Sequence, residues 1–145
     1  METAHLLIGI AVLASNLIAG VWGGVAWLRA RPSVVFWYLL RVAQATVVIQ
    51  VLAGSILLLL GDQAPDGLHY VYGTLPVLVA LLAEGARAGA AERELAGLDF
   101  DSLPEARQRL LALGIVRRET GIMTVSTLVV LFLALRAADT SGGLF

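Results

Sequence analysis

Residues 6–28 of the chain read LLIGIAVLASNLIAGVWGGVAWL, and these 23 residues contain no charged side chain. As an α-helix that rises about 1.5 Å per residue, they would extend about 34 Å, which is enough to cross a hydrocarbon core of about 30 Å. The run is too long for the apolar core of a cleaved signal, and no cation precedes it. We therefore expect it to be retained as a membrane-spanning helix.

Three more apolar stretches follow, each bounded by turn-forming or charged residues. Ser33 is placed to cap the second helix, and Ser102, followed by Glu105, has the pattern of a capping box at the start of a long last helix. The chain is therefore predicted to be all-α, a single four-helix bundle integral to the membrane. The predicted spans are about 6–28, 34–60, 68–84 and 120–137, and a helical cytoplasmic segment, 85–119, connects spans 3 and 4.

The composition of the 145-residue chain supports this interpretation. Hydrophobic residues make up 59% of it and charged residues 14%, whereas soluble domains have roughly 45–50% and about 25%. A formal net charge of −1 gives no reason to expect nucleic acid as a partner. The sequence contains no cysteine, which excludes disulfides, iron–sulfur clusters and thiol catalysis.

The arginines predict the orientation of the chain in the cytoplasmic membrane. All ten cations are arginine, and nine of them lie in or near the connections between spans 1 and 2 and between spans 3 and 4. Arg136 alone belongs to the other side. Because basic residues are enriched in cytoplasmic loops, we expect both of these connections to be cytoplasmic and both termini to be outside.

Small and polar residues are expected to hold the helices together, since lipid provides no hydrophobic drive between them. Gly20 and Gly24 form a G-x-x-x-G pair in span 1, which predicts either close packing within the chain or a homodimer. Asn16 and Gln44 lie at membrane depth, where we expect them to form hydrogen bonds between helices. Glu84, near Arg87, is expected to form an interfacial ion pair, with a proton path as the alternative.

The two histidines of the sequence, His5 and His69, are the candidate functional residues. Each lies in the first turn of a span, and spans 1 and 3 run parallel, so the two imidazoles are predicted at a similar depth near the outer face. Gly9 and Gly73 follow them at the i+4 position, on the same helix face. A glycine there leaves room for a flat ring, so the pattern suits a heme b held by two axial histidines in a bundle.

Other residues complete this predicted site. A neutral axial imidazole needs an acceptor for its second nitrogen, and the candidates are Glu2, Asp66 and backbone carbonyls. Arg136 is predicted at the same level, as a partner for a heme propionate. Two alternatives remain: interfacial histidines without any ligand, and a zinc or copper site formed by His5 and His69 with acidic residues, namely Glu2, Asp62 and Asp66.

Three short motifs in residues 2–83 resemble one four-helix half of the heme A synthase family. Glu2-Thr3-Ala4-His5 is similar to the family's Glu-x-x-His-Arg motif, with Leu6 in place of the arginine. Gln50-Val51-Leu52-Ala53-Gly54 is similar to its glutamine–glycine stretch, and residues 61–69 to its outer loop with the second histidine. The resemblance implies a heme pocket with His5 and His69 as ligands and Gln50 close by.

The chain also departs from that family. The synthase has two such halves, and this chain supplies one histidine pair, so a complete synthase site is not expected and the chain is not expected to be an enzyme by itself. The sequence therefore predicts a membrane b-type heme protein for electron transfer or heme handling. The alternative is a non-redox accessory or scaffold subunit of a larger membrane complex.

Overall fold

The computed structural model describes residues 2–64 and 66–141, apart from the side chain of Glu2. It contains four α-helices: α1 (Glu2–Leu28), α2 (Val34–Leu59), α3 (Leu68–Leu95) and α4 (Glu105–Asp139). A short 3-10 helix, Phe100–Ser102, precedes α4, and the described residues form no strand. All four α-helices are long and apolar enough to cross a membrane. The all-α class is confirmed, and the helices indicate a multi-pass membrane protein.

The helices form an antiparallel bundle in which α1 packs on α2 and α4, and α3 packs on α4. The register is visible in the side-chain contacts: Ser15 of α1 bonds Thr46 of α2, and His69 of α3 bonds Ala137 of α4. As a result α1 and α3 lie diagonally across the bundle. Both begin at one end, which we call the histidine end; the opposite end, with the α1–α2 and α3–α4 connections, is the arginine-rich end.

Close approach of α1 and α4 forms the centre of the bundle. A Cβ on Gly121 of α4 would lie 2.7 Å from Cε2 of Trp27, and one on Gly20 would lie 2.7 Å from Cδ2 of Leu128. Gly24 also faces α4, with Thr124 Cγ2 at 3.9 Å from the corresponding position. Gly20 and Gly24 thus contribute to packing within the chain, and the homodimer through them stays a prediction.

The seam between α2 and α3 is much looser. These two neighbours touch little, and an apolar groove of about 360 Å³ opens between them, lined by Val51, Thr74, Leu75, Val77, Leu78 and Leu81. The groove begins one residue beyond Gln50 on α2 and one beyond Gly73 on α3. It therefore opens next to the region that the sequence predicts to hold a cofactor.

Two helix ends differ from the sequence prediction. The sequence predicts that the third helix ends at about residue 84, but α3 continues to Leu95. Residues 85–95 are rich in alanine, arginine and glutamate, which are strong helix formers. The predicted cap of the last helix is wrong. Ser102 lies in the 3-10 helix, where its hydroxyl donates to Asp99 O at 2.8 Å, and α4 begins after Pro104 without a side-chain cap. Ser33, by contrast, caps α2 as predicted, accepting from Phe36 N.

Candidate functional site

The two histidines lie together at the histidine end, although their helices are diagonal in the bundle. The centroids of the His5 and His69 rings are 6.2 Å apart, and the ring planes are inclined at 61°. Both side chains are half-buried. The bundle therefore places the two imidazoles of the chain side by side, as the parallel course of α1 and α3 predicts.

The orientation of His69 is fixed by α4. Its Nδ1 lies 2.8 Å from the carbonyl oxygen of Ala137, and a carbonyl can only accept, so the proton is on Nδ1. Nε2 of the neutral ring is then an unprotonated nitrogen with a free lone pair. This is the arrangement found in histidines that bind metals, where a second partner fixes the tautomer. The predicted backbone-carbonyl acceptor is thus present, while Asp66 accepts from Leu68 N instead.

His5 is held by α2. Its Nε2 lies 3.1 Å from Nε2 of Gln50, so the amide N–H donates and the imidazole proton is on Nδ1. With the Gln50 amide turned over, its Oε1 accepts from Nε2–H instead, and the lone pair of the ring is then on Nδ1. That Nδ1 and the Oε1 of Gln50 are both buried and have no hydrogen-bond partner among the described residues. Leaving a buried polar atom unpaired costs about 1–3 kcal/mol, so both groups would gain from a polar ligand, and Nδ1 can bind a metal in the tautomer that has its proton on Nε2. Gln50, which belongs to the glutamine–glycine motif, therefore directly contacts His5, one of the two predicted ligands.

The glycines around the pair differ from the prediction in one respect. The space beside Gly9 is filled by Gln50, whose Nε2 is 3.3 Å from the position of a Cβ there. Gly54 of α2 instead makes room for His5, with Cε1 of the ring at 3.1 Å. At Gly73, no atom lies within 4 Å of the corresponding position. Of the two gaps predicted beside the imidazoles, only the one at Gly73 is open.

Arg136 lies near the first turns of α3, at the level predicted. Its guanidinium is 5.6 Å from the ring centroid of Tyr72 and donates to Asp139 at 2.5 Å. The side chain is 57% exposed, so the pair with Asp139 is weak and exchangeable. Arg136 is therefore available at the edge of the histidine end for an anionic group.

The zinc or copper alternative finds no support in the structure. Among residues 2–64 and 66–141, leaving aside the side chain of Glu2, no three His, Asp or Glu side chains come close enough to share a metal ion. Asp62 and Asp66 are exposed in the turn before α3. The predicted role of Glu2 as an acceptor or ligand falls on a side chain outside the described part of the chain.

A second polar cluster ties three helices together near the arginine-rich end. Glu84 of α3 pairs with Arg41 of α2 at 2.5 Å and with Arg87 at 2.8 Å. Gln44 donates to the same carboxylate at 2.9 Å, and Arg87 extends to Glu119 of α4 at 3.7 Å. The predicted ion pair of Glu84 and the predicted interhelical bond of Gln44 are confirmed.

The prediction for Asn16 is wrong. Its amide is buried but donates to Val12 O of its own helix at 2.9 Å. A carbonyl one turn earlier is always within reach of such a side chain, so the amide is satisfied without a second helix.

Comparisons with protein-family models, with curated proteins and with solved structures find no match to this chain. The resemblance to the heme A synthase family stays a prediction that rests on its three short motifs.

Proposed function

We propose that this chain is a multi-pass protein of the cytoplasmic membrane that holds a heme b between His5 and His69, near the outer face. The observation that carries the proposal is the pairing of the two imidazoles, each with a nitrogen that no protein group occupies. The carbonyl of Ala137 leaves the lone pair on Nε2 of His69 free, and Nδ1 of His5 offers a lone pair when the Gln50 amide is turned over to accept from Nε2–H.

The ring separation supports a shared metal ion. A nitrogen ligand lies about 2 Å from its metal, and the imidazole centroid is about 1 Å beyond the nitrogen, so two axial imidazoles have centroids about 6 Å apart. The observed 6.2 Å agrees with this value. In a direct edge contact without a metal, rings of this size lie at a similar distance, and the optical spectrum distinguishes the two arrangements.

The residues around the pair fit a flat apolar group with an anionic edge. The apolar groove between α2 and α3 is lined by Val51 and Thr74, the residues that follow Gln50 and Gly73 in the sequence, and no atom lies beside Gly73 within 4 Å of a Cβ position. Arg136 lies at the aqueous edge and is suited to a carboxylate. A bound heme would supply a one-electron couple, and the protein would supply the two axial nitrogens, the tautomer of His69 and the apolar surroundings.

The proposal is tested by the optical spectrum of the protein purified after expression with ample heme. We expect a reduced-minus-oxidised b-type spectrum, lost in both His5→Ala and His69→Ala, because one axial ligand does not hold the iron in a low-spin state. Tyr70→Phe is the matched control: it alters the neighbour of His69 and keeps both imidazoles, so its spectrum should equal that of the unmodified protein.

A colourless protein, or a heme spectrum that survives both alanine substitutions, would refute the proposal. Circular dichroism should show unchanged helix content in every variant, which separates loss of heme from loss of fold.

One observation favours a second function, that of an accessory subunit. In its most apolar 18 residues α2 is only 11% buried, against 39% for α4, and the groove beside it leaves apolar surface uncovered. A helix of a larger membrane complex would cover that surface. Colourless protein that co-purifies in mild detergent with a stoichiometric membrane partner, and is displaced from it by Leu78→Trp in the groove, would favour this function over heme binding.

A further inference from the structure

A notch at the arginine-rich end lies between the end of α1 and the middle of α4. Its walls include Trp27, Ala30, Arg31, Pro32, Val116 and Arg117. It is on the opposite side of the membrane from the histidine pair, and it shares no residue with the Glu84 cluster.

The backbone at the notch is held in an unusual conformation. Ala30 has a φ of 49°, in the left-handed region that disfavours a residue with a Cβ by roughly 1–2 kcal/mol. The hydrogen bonds Ala30 N→Trp27 O and Arg31 N→Ala26 O complete a Schellman motif there. This turn ends α1 and brings Arg31 beside α4, while Pro32 prevents the helix from resuming.

The polar side chains of the notch that remain uncommitted are all hydrogen-bond donors. Among the described residues, no carboxylate lies within ion-pair distance of Arg31 or Arg117, whereas Arg41, Arg87 and Arg118 at the same end are all paired. The hydroxyl of Thr120, also in the notch, donates to Val116 O at 2.8 Å. Two arginine side chains that line one recess form a site for an anion with several acceptor oxygens.

The size and position of the notch narrow the choice of anion. Its interior is only about 10 Å³, which is close to the space that one water molecule needs, so a single phosphate oxygen would enter and the rest of the ligand would remain outside. Outside lies apolar helix surface, with Leu28 81% exposed next to the notch. The ligand should therefore carry a phosphate at the level of the arginines and an apolar body beside the helices.

We infer that this notch binds the phosphate group of an anionic phospholipid from the arginine-rich side of the bilayer. Arg31 and Arg117 would contact the phosphate oxygens, and the acyl chains would lie along α1. Basic recesses between helices at the cytoplasmic surface suit such headgroups. The inference is independent of whether heme binds at the other end.

The test measures how much phosphatidylglycerol is retained by the protein in detergent, by native mass spectrometry against a phosphatidylcholine background. Arg31→Gln/Arg117→Gln should weaken retention at least about tenfold, since each basic residue near an anionic lipid contributes about a factor of five. Arg107→Gln/Arg109→Gln removes the same charge from exposed arginines nearer the start of α4 and should leave retention within about twofold.

Equal losses in the two double variants would show general charge attraction and overturn the inference, as would no loss in either. Displacement of the lipid by millimolar inorganic phosphate would show that the notch binds free phosphate and not a lipid. Arg31→Lys/Arg117→Lys keeps the charges, and we expect it to retain more lipid than the glutamine variant. If the glutamine variant fails to fold, this lysine variant still tests the site, because a planar guanidinium pair should bind phosphate more tightly than two ammonium groups.

Discussion

At the scale of single residues, the histidine site depends on one glycine that belongs to neither histidine's helix. Gly54 on α2 gives His5 the room to stand next to Gln50 and His69, with Cε1 only 3.1 Å from where a Cβ would be. A Cβ at this position would be closer to the imidazole than ordinary packing allows, so the His5 ring would have to turn away.

Gly54→Val should therefore reduce heme retention about tenfold or more, because overpacking by added methyl groups costs about 1–3 kcal/mol. The measurement is the heme content per protein, from the b-type absorbance, after a fixed series of washes. Ser55→Val is the matched control: it places the same side chain one residue later, at an exposed position of α2, and should retain heme normally. Equal losses in the two variants would argue against a specific role of Gly54.

The residue types of the site could be predicted, but their contacts could not. His5 and His69 were identified from their scarcity and their positions in parallel helices, which fix their depth. The i+4 rule then pointed to Gly9, although the residue that makes room for His5 is Gly54. Helix periodicity relates residues within one helix, while the rotation of α2 about its own axis is decided by packing against α1, which no local pattern encodes.

At the scale of helices, α4 is long enough to cross the membrane, and its face toward α1 is formed by small residues. Its buried positions on the α1 side include Gly121, Thr124 and Thr127, which let the two backbones approach closely. This close packing takes the place of the hydrophobic drive that lipid does not supply.

Gly121→Ala should destabilise the bundle by about 1–3 kcal/mol, because the new Cβ would lie 2.7 Å from the Trp27 ring. Gly114→Ala on the same helix has nothing within 4 Å and should instead stabilise it by about 0.5–1 kcal/mol through helix propensity. Unfolding in mixed micelles with increasing dodecyl sulfate measures both. We expect the two substitutions to change the free energy of unfolding in opposite directions. If Gly114→Ala also destabilised the bundle, the α1–α4 contact would not be the cause of the loss in Gly121→Ala.

The helices themselves were largely predictable, and their ends less so. Uncharged runs such as residues 6–28 leave a chain in lipid few alternatives to a helix. The end of α3 was missed because hydropathy marks where a span leaves the apolar core and not where helical hydrogen bonding stops. The start of α4 was missed because the Ser102 hydroxyl serves as a donor to a nearby carbonyl, which sequence spacing does not distinguish from capping.

At the scale of the whole molecule, the arginine distribution predicts which end faces the cytoplasm. The sequence has no cysteine, so single cysteines can report accessibility without background. Asp62→Cys, in the turn at the histidine end, should react with an impermeant maleimide in intact cells. Asp99→Cys, in the α3–α4 connection, should react only after the cells are permeabilised. The reverse pattern would invert the proposed orientation and place the histidines inside.

The uninterrupted length of α4 has a mechanical consequence. The helix crosses α1 around Thr124, about 28 Å from its start at Glu105 and about 20 Å from Ala137 at 1.5 Å per residue. The two helices approach closely there, because Gly24 of α1 faces Thr124. A rigid tilt of α4 about this crossing would move its first, charged turns and its last turns in opposite directions, the last turns by about two-thirds as much. The last turns carry the Ala137 carbonyl that holds His69, so such a tilt would reach the histidine pair.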